Sequence, residues 1–357
     1  MDARRFTLLT ATGIGNSSSR YALRRAAGRG RLLRIRQGVY ISAVDWQEAR
    51  AWERYRISAA AIAIQAPDTI FCRQTALTLR ELPLLSVPRE IFRRTFHKSQ
   101  VGRLDAEELA DGSRFWPVRW VQVPAPRGMS RQDADAAYSD GSIAVPVETL
   151  ELKDVLDAAG KAVRVRLEGL SLAVADTMRC LSSEESVVVM DAVLAGRYAG
   201  AMNSDRTSGM KVSQLDSGAD FLRSAAQRQQ WRWIREFGSS RSESPGESRS
   251  RALMHQLGFA IPDLQVSVRL PGGRVVRPDF HWPGTGVIGE FDGRVKYSRA
   301  QDLAGIDTNE LLYQEKLRED QLRSLGYRMV RWGWTELNDP DRFAQLLLSA
   351  GVPRATW

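Results

Sequence analysis

Two short runs near the end of the chain, Arg277-Pro278-Asp279-Phe280 and Val287-Ile288-Gly289-Glu290-Phe291-Asp292-Gly293, read as β-type segments that carry acids at fixed positions. In the second run Glu290 and Asp292 project to one face with Ile288, while Phe291 points the opposite way, toward a core. In the first, Arg277 and Asp279 share a face and Val276 and Phe280 take the other. If the strands pair as a hairpin, Asp279 joins the other two acids. Three carboxylates that close repel one another unless a cation neutralises them, and hard oxygen ligands of this kind suit Mg²⁺ or Mn²⁺. Lys296, just past the Gly293 turn, adds a positive charge to the same neighbourhood.

Upstream, Ser244-Pro245-Gly246-Glu247-Ser248 opens a helix, with Pro245 at its first position and Glu247 three residues after Ser244. That spacing is a capping box, which needs no catalysis to explain it; a capping and a catalytic role for Glu247 are compatible. Downstream, Glu315-Lys316-Leu317-Arg318-Glu319-Asp320 lies on a further helix, followed by the apolar run around Tyr327-Arg328-Met329-Val330-Arg331-Trp332. From about Ser240 to Leu348 these segments resemble the PD-(D/E)XK restriction-endonuclease-like superfamily, in its very-short-patch-repair-like branch. The resemblance implies a metal-dependent DNA endonuclease in which Asp279, Glu290 and Glu247 are catalytic acids that hold Mg²⁺ or Mn²⁺; Asp292, which shares a face with Glu290, is a further candidate ligand. The chain departs from the motif at Asp292, where the family carries lysine. Lys296 is the substitute, as a charge stabiliser or proton-transfer partner. Lys316 and Arg318 would clamp phosphates, or form an exposed face balanced by Glu315, Glu319 and Asp320.

The other end of the chain is basic. Residues 1–40 hold nine arginines and one acid, Asp2, a balance of +8 against +9 for the whole protein. Ser17-Ser18-Ser19 caps a helix through Tyr21–Ala27 that Gly28 ends, and Leu32–Tyr40 reads as two short strands around a turn. Helix, glycine-rich break and basic β-turn form a winged helix-turn-helix pattern, which is similar to the N-terminal domain of AbiEi-family antitoxins. The similarity extends to Phe71–Leu77 and Glu81-Leu82-Pro83, and it implies DNA as the partner. Arg20, Arg24, Arg25, Arg31, Arg34 and Arg36 are the expected phosphate contacts, against the plainer reading of a solvated basic face.

The expected fold is therefore an α+β multidomain chain: a winged helix-turn-helix over 1–85, a mixed α/β middle over 86–199, a linker and leading helix over 200–239, and a restriction-endonuclease-like α/β core over 240–352. Residues 86–125 read as β-rich, 143–198 as helices, 200–218 as linker or loop, and Phe221–Phe237 as a helix whose tryptophans serve the core. Three isolated histidines and two distant cysteines, Cys72 and Cys180, offer neither a zinc site nor a disulfide scaffold, which fits a reducing cytoplasm. No apolar run approaches membrane-spanning length, and the first residues lack the long apolar core of an export signal. The function these features predict is a Mg²⁺/Mn²⁺-dependent endodeoxyribonuclease targeted by its own winged helix, in DNA repair or defence against foreign DNA. The alternative is a transcriptional regulator or antitoxin with an inactive nuclease-like domain. No RNA-binding signature supports an RNA-directed enzyme.

Overall fold

A computed structural model describes residues 4–10, 17–199, 209–293 and 308–355. The architecture is mixed α/β and divides into two compact units, one from residues 1–180 and 196–235, the other from residues 181–195 and 236–357. Among the described residues no helix is long and apolar enough to cross a membrane.

The first unit begins with β1 (Phe6–Thr7), β2 (Leu9–Thr10), α1 (Ser17–Gly28), β3 (Leu32–Arg36), β4 (Val39–Ser42), α2 (Ala43–Glu48) and α3 (Ala51–Gln65). It continues with β5 (Ile70–Phe71), α4 (Arg73–Leu79), β6 (Ile91–Thr95), β7 (Gly102–Leu104), β8 (Val118–Gln122), α5 (Arg131–Ser139), β9 (Val147–Leu156), β10 (Ala162–Glu168) and α6 (Leu170–Met178). Strands β3 and β4 pair antiparallel beside α1, where two short strands around a turn were expected, and β2 adds a third strand to this sheet. A seven-stranded sheet in the order β1-β9-β10-β5-β6-β8-β7 joins strands from both sides of residue 85, so one sheet crosses the boundary drawn there from sequence.

Residues 147–168, expected to be helical, form the β9–β10 antiparallel hairpin instead. The reason lies in strict alternation: Val163, Val165 and Leu167 are buried while Arg164 is exposed, a period that a helix cannot satisfy. A turn closed by Asp157 N–H donating to Lys161 O at 2.7 Å reverses the chain. Beneath the sheet, Arg94 on β6 donates to Glu168 and to Asp176, each at 2.7 Å, and Arg73 also donates to Asp176 at 2.7 Å. All but Arg73 are fully buried, so losing one partner would strand an unpaired charge at a cost of about 3–5 kcal/mol.

Next along the chain, α7 (Ser183–Leu194) belongs to the second unit, whereas α8 (Val212–Ala219) and most of α9 (Ala225–Phe237) belong to the first. Residues 212–219 are thus helical where a loop was expected; the linker residues 200–208 lie outside the described residues. Trp231 on α9 is buried, in keeping with a packing role.

The second unit then runs α10 (Pro245–Gln256), β11 (Asp263–Leu264), β12 (Val268–Arg269), β13 (Val275–Val276), β14 (Phe280–Trp282), β15 (Val287–Phe291), α11 (Thr308–Ser324), β16 (Arg328–Trp332), α12 (Trp334–Leu337) and α13 (Pro340–Ser349). Its main sheet has the order β11-β14-β15-β16, with β14 and β15 antiparallel and β16 parallel to β15. Helix α11 makes the crossover that a parallel pair requires. The core gathers Leu253, Met254, Phe280, Trp282, Phe291, Trp332, Phe343 and Leu347, each worth roughly 2 kcal/mol on burial. Gly289 makes this packing possible: a Cβ there would lie 2.6 Å from the Trp332 ring. Helix α7 is tied to α10 by a buried pair, in which Arg251 Nη1 donates to Asp191 Oδ2 at 2.8 Å while Ser239 N–H donates to Oδ1 at 2.7 Å.

Candidate functional site

The acids expected from sequence come from two elements, the start of α10 and the β14–β15 hairpin. At the start of α10, Ser244 is the N-cap and Pro245 opens the helix. Gly246 then lets the ring of Phe291 rest against the backbone, since a Cβ there would stand 2.0 Å from Phe291 Cε1. That contact brings the helix start against the end of β15.

Glu247, only 3% exposed, accepts from Glu243 N–H at 2.7 Å through Oε2 and from the Ser244 hydroxyl at 2.8 Å through Oε1. It therefore does cap the helix. Burial, and after it the charge of Asp279, pushes its carboxyl up to about 7. The hydrogen bonds from Glu243 and Ser244 oppose that rise without cancelling it.

Asp279 precedes β14. Continuing the β14–β15 register by one residue sets it opposite Glu290. Its Oδ2 accepts from Phe291 N–H at 2.9 Å, and its Oδ1 lies 3.4 Å from Gln265 Nε2. Gln265 itself takes a left-handed φ of 54°, an unusual backbone state for a residue with a side chain. Asp279 is half-buried, and its charge reaches Glu247. Two carboxylates with only oxygen donors fit Mg²⁺ or Mn²⁺, ions that complete their shells with water.

Glu290 faces a different set of neighbours. Arg318 on α11 donates through Nη2 to Oε1 at 2.6 Å and to Oε2 at 2.8 Å, and Arg331 on β16 has Nε 3.3 Å from Oε2. Arg318, expected to clamp phosphate, holds a carboxylate here. Lys316 on the same helix is exposed. Asp292 is half-buried, continues the ladder by donating its N–H to Trp332 O at 2.8 Å, and its carboxylate makes no hydrogen bond or ion pair with the described residues. Lys296 lies outside the described residues. Among the described residues no three His, Cys, Asp or Glu side chains form a group able to hold a metal ion. Glu247 and Asp279 are together; Glu290 is engaged by arginines.

The arginine pair over Glu290 is an arrangement that the sequence reading did not contain. Its signal was the like spacing of Arg331 and Glu290 at paired positions of a parallel ladder, visible only once β15 and β16 are known to be neighbours.

In the first unit the N-terminal arginines gather around α1 and the β3–β4 hairpin. Arg20, Arg24 and Arg34 line a recess of about 440 Å³ with Gln37, Tyr40 and Gln65. The side chains of Arg20, Arg24, Arg25, Arg29, Arg31 and Arg34 are exposed, and none makes a hydrogen bond or ion pair with a described residue. Arg36 differs. A β-bulge between Arg34 and Arg36 re-aims it, and its guanidinium sits over the Phe115 ring, 5.0 Å from the centroid. Burial there lowers its proton affinity, opposed by the charge of Glu107.

No protein-family model matches the chain. It is similar to two uncharacterized proteins of Mycobacterium tuberculosis, from strain CDC 1551 / Oshkosh and strain ATCC 25618 / H37Rv, each 28% identical over 94 residues. The match covers 26% of this chain and spans about a third, 31%, of each relative. No solved structure matches.

Proposed function

We propose that the protein is a Mg²⁺- or Mn²⁺-dependent DNA endonuclease, with a PD-(D/E)XK-like site in the second unit and a winged-helix-like DNA-binding face in the first, working in the cytoplasm in DNA repair or defence against foreign DNA. The observation that carries this reading is that Phe291 brings two carboxylates into one neighbourhood: its N–H holds Asp279 and its ring packs on Gly246, next to Glu247. The order of helix α10, main-sheet strands β11, β14 and β15, helix α11 and strand β16 supports the same reading.

In this account Asp279 and Glu247 hold the divalent ion, with Glu290 and Asp292 as the remaining acids. When bound, the ion supplies Lewis acidity to the scissile phosphate and to water. Phe291 N–H fixes Asp279 through Oδ2 and Gln265 donates to Oδ1 at 3.4 Å, which would orient this carboxylate as a ligand. Glu247, whose carboxyl is pushed up to about 7 when no cation is present, would give up its proton as the ion binds. Lys296 is assigned the stabilisation of the attacked phosphate. Arg20, Arg24, Arg25, Arg31 and Arg34 contact DNA phosphates, a sequence-independent attraction that weakens steeply with salt.

One observation favours a second reading, a DNA-binding regulator or antitoxin whose nuclease-like unit is inactive: the Glu290 carboxylate is taken by Arg318 and Arg331. Incubation with plasmid, nicked, mismatched and single-stranded DNA in Mg²⁺ or Mn²⁺ separates the two. Metal-dependent cleavage that Asp279→Ala and Glu290→Ala each abolish, with DNA binding retained, supports the nuclease. Absence of both cleavage and metal binding assigns the regulator.

A further inference from the structure

We infer that Arg318 and Arg331 keep Glu290 from the divalent ion until a DNA phosphate draws Arg318 away, so that metal and DNA bind cooperatively at this site. The inference rests on the nuclease reading above and adds an order to it.

While Arg318 is in place, both oxygens of Glu290 are held by cationic groups. Both of its oxygens lie within 2.8 Å of Arg318 Nη2, and Oε2 has Arg331 at 3.3 Å as well. A divalent ion needs one of those oxygens at roughly 2.0–2.6 Å, where the positive charge of the guanidinium on the same atoms opposes it. The contact is sheltered, with 17% of the Arg318 side chain and 14% of that of Glu290 exposed, so its attraction is less screened than that of a surface pair.

The two arginines differ in what they can do next. Arg331 stands on β16 at the ladder position paired with Glu290, and its backbone cannot leave. It has a second acid within reach, Glu319 Oε2 at 3.5 Å, and Glu319 also receives Arg323. Arg318 sits on a helix, at the end of a long side chain whose planar fork fits a phosphate as well as it fits a carboxylate. A phosphodiester arriving at the site offers Arg318 an equivalent partner. Glu290 is then released to the ion, while Arg331 turns toward Glu319. Binding energies are reciprocal, so DNA that raises metal affinity by this route has its own affinity raised by metal to the same factor.

Calorimetric titration of the full-length protein with Ca²⁺, a hard cation that uses the same oxygen donors, tests this without relying on cleavage. In the absence of DNA, Arg318→Gln should bind Ca²⁺ at least tenfold more tightly than the parent, and Arg331→Gln should gain less. A DNA duplex should raise the parent's Ca²⁺ affinity at least tenfold and that of Arg318→Gln by no more than about twofold. Circular dichroism verifies that each variant is folded, and Arg331→Gln serves if Arg318→Gln is not. If Arg318→Gln binds Ca²⁺ no more tightly than the parent while Asp279→Asn loses binding, the arginine latch is overturned and the metal site stands. If parent and variants bind no Ca²⁺ with or without DNA, the metal site and the latch fall together.

Discussion

Replacing Glu247 by glutamine isolates the energetic cost of the carboxylate pair. The Glu247 carboxyl is buried and faces the charge of Asp279, and its affinity for a proton rises from the ordinary 4.5 to about 7. At about 1.4 kcal/mol for each tenfold change in proton affinity, that rise corresponds to about 3 kcal/mol. The folded chain binds the proton more tightly than the unfolded chain does. Below about pH 4.5 both forms are protonated and the site costs nothing. Between pH 4.5 and 7 the folded form must release a proton it prefers to keep, so stability falls as pH rises, and above pH 7 the whole penalty is present. Glutamine carries no charge, keeps an acceptor for Glu243 N–H and can donate to Ser244 Oγ, so the helix cap survives. Urea unfolding at several pH values from 4.5 to 8 should show the parent losing about 3 kcal/mol relative to Glu247→Gln across that range. Asp279→Asn, which removes the neighbouring charge but not the burial, should reduce the slope without eliminating it. Saturating Mg²⁺ or Mn²⁺ should flatten the parent's slope, because a cation takes the place of the proton. Parallel pH profiles for parent and Glu247→Gln would refute the claim that burial, with the charge of Asp279, raises the Glu247 carboxyl.

Gly246→Ala should lower the midpoint of thermal unfolding by an amount matching about 1–3 kcal/mol, because the new methyl collides with the Phe291 ring, and Phe291→Leu should recover part of the loss in calorimetry. Exchanging Arg20, Arg24 and Arg34 for glutamate should weaken duplex binding and reduce its dependence on salt in fluorescence anisotropy. Arg36→Ala, by contrast, should leave DNA affinity near that of the parent and lower the melting temperature, since its guanidinium lies on Phe115. Equal losses of affinity from both changes would contradict the separation of Arg36 from the basic recess.

Local chemistry made much of this legible in sequence. The Ser244-Pro245-Gly246-Glu247 helix start, the helix ended at Gly28, the strands around Gly38 and the period-2 placement of Phe291 and Glu290 all depend on residues a few positions apart. Misreadings came where the deciding partner is remote. Residues 147–168 read as helical until β9 and β10 are seen to pair with one another. A single bulge reversed the aim of Arg36 after Arg34 had been read correctly as exposed. Arg318 was assigned to phosphate because its helix was known and its neighbour Glu290, 28 residues earlier, was not.

Helix α7 carries a consequence for how this chain can be divided. It lies some fifty residues before the segment that looks like a self-contained nuclease in sequence, yet it belongs to that unit and keeps Asp191 buried against Arg251. A fragment beginning near residue 240 therefore lacks part of its own interior and leaves the Arg251 guanidinium without its carboxylate. The unit cannot be lifted out as a contiguous cassette, fused to another targeting domain or exchanged by a single crossover. Any rearrangement that preserves it must carry residues 181–195 along, so inheritance of the two halves is linked by packing rather than by adjacency in the sequence.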